Sequence, residues 1–157
     1  SVFQSRADAA GLVLLAIDSA STTWDIFALG GYGPDVDFMN AALTAVFKVV
    51  NVDPARIAVE GFSDGAAYAL ALGKTNGSFF SRIISFSATI VPGAAASGRP
   101  KIFLSHGISD PTFPIAGADL LDANLIADGY NVDYVRFSGV HEIPDSVVQQ
   151  AIAWLTT

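Results

Sequence analysis

Residues 59–65 read Val59-Glu60-Gly61-Phe62-Ser63-Asp64-Gly65, a serine with a glycine two positions to either side. Arg56-Ile57-Ala58-Val59 leads in and Ala66-Ala67-Tyr68-Ala69-Leu70-Ala71-Leu72 leads out. A strand-forming run therefore enters the stretch and a helix-forming run leaves it, which predicts strand, sharp turn and helix with the serine on the turn.

Working outward, short apolar runs alternate with segments of helical spacing along the whole chain, with no internal repeat and no low-complexity linker. Residues 11–17, 57–59, 83–86 and 101–104 are apolar at nearly every position, as strands covered on both faces are, whereas 132–137 alternates and suits an edge strand. Helices are predicted over 4–10, over 35–50 behind Pro34, after Ser63, over 115–128 ahead of Gly129, and over 144–156. Asp35 and Asp37 add negative charge at the positive end of the second of these. The expected fold is a single α/β domain over residues 1–157, three layers deep (α/β/α), with about five mostly parallel strands.

Composition narrows the function. With 157 residues, 52% hydrophobic and 15% charged, the chain can bury a full core. Cysteine is absent and only His106 and His141 supply imidazoles, so no metal and no cofactor is expected. The net charge is -7 and the eight Lys and Arg form no stripe, which argues against nucleic acid and against an anionic membrane as partners. No apolar run reaches the ~18 residues of a membrane span, and residues 1–6 lack the features of a secretory leader. The chain reads as soluble, cytoplasmic in preference to secreted, with a leader removed ahead of Ser1 left open.

In a parallel sheet of this kind ligands bind at the carboxyl ends of the strands, where Ser63 lies. A serine hydroxyl is a weak nucleophile without a base and a residue to orient that base. Ser105-His106-Gly107-Ile108-Ser109-Asp110-Pro111 follows one strand and Ser138-Gly139-Val140-His141-Glu142 follows the next, so Asp110 and His141 fall on the same rim as Ser63. The order Ser, Asp, His is that of the α/β-hydrolases. His106 is a rival base, better placed to shape the loop that presents Asp110. Asp64, Glu142 and Asp145 are rival acids, and Asp110 ahead of Pro111 also reads as an ordinary turn.

On residues 53–66, 106–111 and 139–141 the chain resembles α/β-hydrolase serine esterases of the phospholipase/carboxylesterase and dienelactone-hydrolase-like group, related to polyhydroxybutyrate depolymerases. The resemblance runs from about residue 3 to the end. It implies Ser63 as nucleophile, His141 as base, Asp110 as acid and the Asp64 backbone N–H as an oxyanion donor. It also marks Gly31, Tyr32 and Phe62 as candidate substrate-lining residues, although Gly30–Gly33 reads equally as a glycine loop ahead of a helix. Family members carry further upstream strands, one of which ends in a His-Gly turn that completes the oxyanion hole, and nothing before Gly11 matches it. Residues 18–21, residues 30–33 and water are the candidate substitutes.

That strand also lies between the first two strands expected here, so either these pair directly or a sheet edge stays open and invites a homo-oligomer that buries it. The expected activity is hydrolysis of short-chain carboxylic esters through an acyl-enzyme on Ser63, with a small-molecule ester as partner and an open, shallow site. The alternatives are a catalytically weak or inactive hydrolase-derived domain with a binding or assembly role, and a thioesterase, lactonase or amidase on the same residues.

Overall fold

Ile83, Ile84, Ser85 and Phe86 are all fully buried because successive residues of a strand face opposite sides and both sides are covered. In the computed structural model, which describes residues 3–93 and 95–157, these residues belong to the strand Arg82–Phe86 (β2). It lies between Ala58–Phe62 (β1) and Lys101–Gly107 (β3), with Val132–Phe137 (β4) beyond β3. All pairings are parallel, with Val59 opposite Ile83, Ile83 opposite Ile102 and Ile102 opposite Val132.

The helices are Gln4–Ala10 (α1), Asp25–Ala28 (α2), Pro34–Phe47 (α3), Asp64–Thr75 (α4), Ile115–Ala127 (α5) and Asp145–Leu155 (α6). Ala66 and Leu70 of α4 and Leu121 and Leu125 of α5 pack on one face of the sheet against Ile83, Ile102 and Leu104. Phe3, Val147, Val148 and Ala151 cover the other face against Ile84, Phe86 and Phe103. Arg6 of α1 ties that layer together by donating to Asp145 of α6 at 2.6 Å. Ile26, Val36 and Met39, from α2 and α3, pack on the flank of α4 at Tyr68, Ala71 and Leu72. The result is the three-layer α/β fold, and no helix among the described residues is long and apolar enough to cross a membrane.

The sheet has four strands, one fewer than expected. Residues 12–19 form no regular element and join no ladder, and Val13, Leu14 and Leu15 are exposed. Their composition suits a strand, but a strand exists only through hydrogen bonds to a neighbour, and none lies beside them. The helix expected to reach residue 50 ends at Phe47, and the four-residue helix α2 is too short to leave a periodic signal.

The free edge of β1 is open rather than paired with residues 11–17. Ser81 N–H donates to Ile57 O and Ser63 N–H to Phe86 O, both at 2.9 Å, so alternate residues of β1 bond to β2. By the period of two, the backbone groups of Ala58, Glu60 and Phe62 face the other way. They face a cleft of about 1110 Å³ bounded by residues 11–19 opposite, by Met39 and Leu43 of α3, and by Ile152 and Leu155 of α6.

Glu60 points into the same cleft, sharing it with Ile84 and Ile143. The side chain is exposed to cleft water, yet burial among these neighbours pushes its carboxyl pKa up to about 7. A raised carboxyl pKa favours folding below the ordinary carboxylate range, and that contribution is lost as the pH rises through about 7. Glu60→Gln should therefore unfold in urea like the wild type near pH 4. Near pH 8.5 it should be more stable, by on the order of 1 kcal/mol after allowing for screening by cleft water. Equal midpoints at the higher pH would show that the carboxylate is well solvated.

Candidate active site

The chain turns from β1 into α4 at Ser63, whose backbone has φ 58° and ψ -120°, a region L side chains rarely occupy. Gly61 makes this turn possible, because a Cβ there would lie 2.1 Å from the carbonyl oxygen of Gly65. The turn is held at both ends: Ser63 N–H donates to Phe86 O, and Ser63 O accepts from Ala66 N–H at 3.1 Å. The hydroxyl consequently leaves the sheet at its carboxyl rim, at the N-terminus of α4.

Two further loops reach the same rim. Ile108 N–H donates to Phe137 O and Ser109 N–H to Gly139 O, lacing the loop after β3 to the loop after β4. They nest because Gly107 has no side chain: a Cβ there would lie 2.2 Å from Val140 O. Asp110 and His141, one on each loop, are thereby brought to Ser63. His141 Nδ1 is 2.7 Å from Asp110 Oδ2 and His141 Nε2 is 2.9 Å from Ser63 Oγ. This geometry fits an imidazole that donates from Nδ1 to the carboxylate and accepts the serine proton at Nε2.

Asp110 is buried. Burial by itself would raise its pKa, but hydrogen bonds from Phe113 N–H, the His141 ring and Thr112 N–H outweigh that and hold the carboxyl below its ordinary range. It is thus an anion fixed in place against the His141 ring. The other acids face elsewhere. Asp145 pairs with Arg6, Asp64 accepts from Thr23 Oγ1 at 2.8 Å, and Glu142 approaches only the Val140 N–H, at 3.4 Å. Of the two histidines, His106 is fully buried beneath Asp110 and does not reach Ser63.

Phe62 and Phe113 flank the His141 ring, with centroids 4.8 Å and 5.4 Å away. Beside Ser63 lies a pocket of about 330 Å³ lined mainly by Phe27, Ala67, Ala88, Ile90 and Phe113, with Thr23 at its edge. None of Gly31, Tyr32 and Phe62 lines it. Phe62 instead packs on the imidazole. Tyr32 rests edge-on against Tyr68 and places its hydroxyl 3.2 Å from Thr75 Oγ1, at the last residue of α4, twelve positions beyond Ser63. That is ~18 Å at the helical rise of about 1.5 Å per residue, so the glycine loop serves the far end of the helix. A Cβ on Gly31 would meet nothing within 4 Å.

The loop from Ala20 to Asp35 is organised by two buried carboxylates. Asp35 accepts from Ala20 N–H and Asp25 N–H, each at 2.7 Å, while Asp25 accepts from Gly33 N–H at 2.6 Å and Asp35 N–H at 3.1 Å. Ala20 and Gly33, within the segments expected to replace the second oxyanion donor, therefore have their N–H groups engaged. The Asp64 N–H makes no hydrogen bond to the backbone of the described residues. The same loop presses Trp24 onto Tyr68, ring centroids 4.5 Å apart, and sets Thr23 beside Ser63.

Because the turn depends on the missing Cβ of Gly61, Gly61→Ala should lower stability by ~1–3 kcal/mol through overpacking. At about 2–4 °C per kcal/mol for a domain of this size, the shift is readable by calorimetry. Gly31→Ala, in open space, should leave the transition where it is. Equal transitions for both variants would contradict the close approach of β1 and α4.

Residues 36–157 match the Phospholipase/Carboxylesterase family. Feruloyl esterase C of Emericella nidulans is 29% identical over 97 residues, which cover 61% of this chain and 36% of that protein. Esterase PE8 superposes with a TM-score of 0.65 at 28% identity, covering 76% of this chain and 58% of that one. The Bacillus cereus carboxylesterase shares the fold, with a TM-score of 0.61 at 19% identity over 91% of this chain and 70% of that one. The chain spans 39% and 36% of the length of the curated relatives it matches. The match over residues 36–157 carries the turn at Ser63 and both loops that reach it, and on it the chain belongs to the phospholipase/carboxylesterase family of α/β-hydrolases.

Proposed function

We propose that this chain carries the acyl-transfer site of a serine hydrolase acting on small carboxylic esters. The observation that carries the reading is the continuous line Ser63 Oγ, His141 Nε2, His141 Nδ1, Asp110 Oδ2, with steps of 2.9 Å and 2.7 Å between residues. His141 takes the Ser63 proton as Oγ attacks the ester carbonyl, and Asp110 holds the imidazole in the tautomer that leaves Nε2 free to accept it. The Asp64 N–H stabilises the oxyanion from the N-terminus of α4. His141 then returns the proton to the departing alkoxide, leaving an acyl group on Ser63. Water, deprotonated by the same imidazole, attacks the acyl carbonyl; the bond to Ser63 Oγ breaks, the imidazolium returns its proton to Oγ, and the free acid leaves.

The pocket beside Ser63 supports short acyl chains. At about 330 Å³ it sits at the low end of the range for ligand pockets, ~300–1,000 Å³, and its lining is apolar. Thioesters, lactones and amides would pass through the same intermediates, and a substrate panel separates them. A second reading, a hydrolase-derived domain that works by assembly, is favoured by the open edge of β1. Its free N–H and C=O groups in an apolar-walled cleft are a template for another chain, which makes a homo-oligomer burying this edge the expected partner.

The test is turnover of p-nitrophenyl acetate and butyrate by the wild type and by Ser63→Ala purified in parallel. The variant should lose at least ~10³-fold in kcat, and butyrate should be turned over faster than long-chain esters. Matching background rates in both proteins, or a strong preference for long acyl chains, would overturn the corresponding part of the reading. Light scattering at micromolar concentration should show more than one copy per particle, and a strict monomer would remove the assembly reading.

A further inference from the structure

We infer that His106 is a positioning residue for this site, and the inference rests on the reading of Ser63, His141 and Asp110 given above. His106 is the penultimate residue of β3 and is fully buried. Its Nε2 lies 2.8 Å from the carbonyl oxygen of Phe113 and 3.3 Å from Asp110 Oδ2, the same carboxylate oxygen that faces His141 Nδ1. A carbonyl only accepts, so Nε2 carries the proton and donates to Phe113, leaning also on the carboxylate.

The segment from Asp110 to Phe113 is thereby fixed at both of its polar ends. Asp110 Oδ1 accepts from Thr112 N–H at 2.8 Å and Phe113 N–H at 2.9 Å, which curls the loop onto its own acid. His106 takes the Phe113 carbonyl from below. The two groups of this loop that touch His141 are then set together: the carboxylate that binds Nδ1, and the Phe113 ring, 5.4 Å away and edge-on to the imidazole. Phe113 also lines the pocket beside Ser63, so one buried imidazole registers acid, base and pocket wall.

A purely space-filling side chain would explain the burial but not the chemistry. His106 Nδ1 is buried without a hydrogen-bond partner among the described residues. An aromatic hydrocarbon in its place would leave no such orphaned nitrogen. The structure accepts that penalty at a core position from which a donor reaches both the Phe113 carbonyl and Asp110.

Because the chain has two histidines, nitrogen-15 NMR of the wild type reads both rings, and comparison with His106→Gln assigns each set of signals to its ring. Near pH 8, His106 should be the Nε2–H tautomer, and the His141 Nδ1–H proton should be protected from exchange by Asp110. Finding His106 as the Nδ1–H tautomer would overturn the proposal outright, since Nε2 could not then donate. Among variants, His106→Gln keeps an amide donor within reach of the Phe113 carbonyl and should retain the protected His141 signal. His106→Leu, with the amide spectrum of a folded chain, should lose it.

In ester turnover, His106→Leu should lose about 10- to 100-fold in kcat with KM little changed, the size expected of misplacement outside direct contact, and His106→Gln should recover most of it. A folded Leu variant with a protected His141 proton and wild-type kcat would sink the inference. Absence of Ser63-dependent turnover in the wild type would instead overturn the proposed function, while the tautomer and proton protection would still decide whether His106 positions His141.

Discussion

Ser63 has a backbone conformation that its own side chain disfavours, and the rest of the site depends on its being held there. A non-glycine residue at φ 58° costs on the order of 1–3 kcal/mol, so the turn persists only because its surroundings fix it. Ladder pairing supplies the first constraint, as the Ser63 N–H, immediately after β1, donates to Phe86 O of β2. Packing supplies the second: α4 is buried from Ala66 to Leu72 against β1 and β2 and cannot slide to relax the turn. The missing Cβ of Gly61 supplies the third. With all three in force, the hydroxyl has one direction to go.

The parallel sheet converts this local strain into a shared site. Strands β1, β3 and β4 run the same way, so their carboxyl-terminal loops crowd one rim, and chain segments nearly eighty residues apart meet there. Nesting of the later two loops turns on Gly107, whose missing side chain is filled by the carbonyls of Gly139 and Val140. Once nested, Asp110 sits in a socket of N–H donors that offsets its burial and keeps it charged. The imidazole of His141 is then caught between a fixed anion and a fixed hydroxyl, with aromatic rings to either side. The loop of residues 20–35 closes the remaining side through the reciprocal bonds of Asp25 and Asp35.

Much of this was legible in the order of residues, and the exceptions have physical causes. The strand–turn–helix at Ser63 and the meeting of Ser63, Asp110 and His141 follow from local propensity and from the rule that parallel strands share a rim. The strand expected over residues 11–17 failed because strand formation belongs to a pair, and apolar composition does not reveal whether a neighbour is present. Tyr32 and Gly31 lie outside the lining of the pocket beside Ser63; a glycine loop carries no distance information, and only packing on Tyr68 and Thr75 shows where Tyr32 sits along α4. Thr23, Phe27, Ile90 and Phe113 left no signal, since a pocket assembled from four separate chain segments, 23–27, 63–67, 88–90 and 113, has no period. Ser87, with φ 62°, marks the bend that turns Ala88 to Ile90 toward that pocket, and a serine outside a Gly-x-Ser-x-Gly context gives no warning of it.

The central claim is that Ser63 is a nucleophile made reactive by His141, and its most direct test is intact-mass analysis after treatment with a small alkyl fluorophosphonate. The account predicts a single adduct per chain, mapped to Ser63 by peptide sequencing, absent from Ser63→Ala and formed far more slowly by a folded His141→Ala. An unmodified wild type, or an adduct that persists in Ser63→Ala, would contradict it.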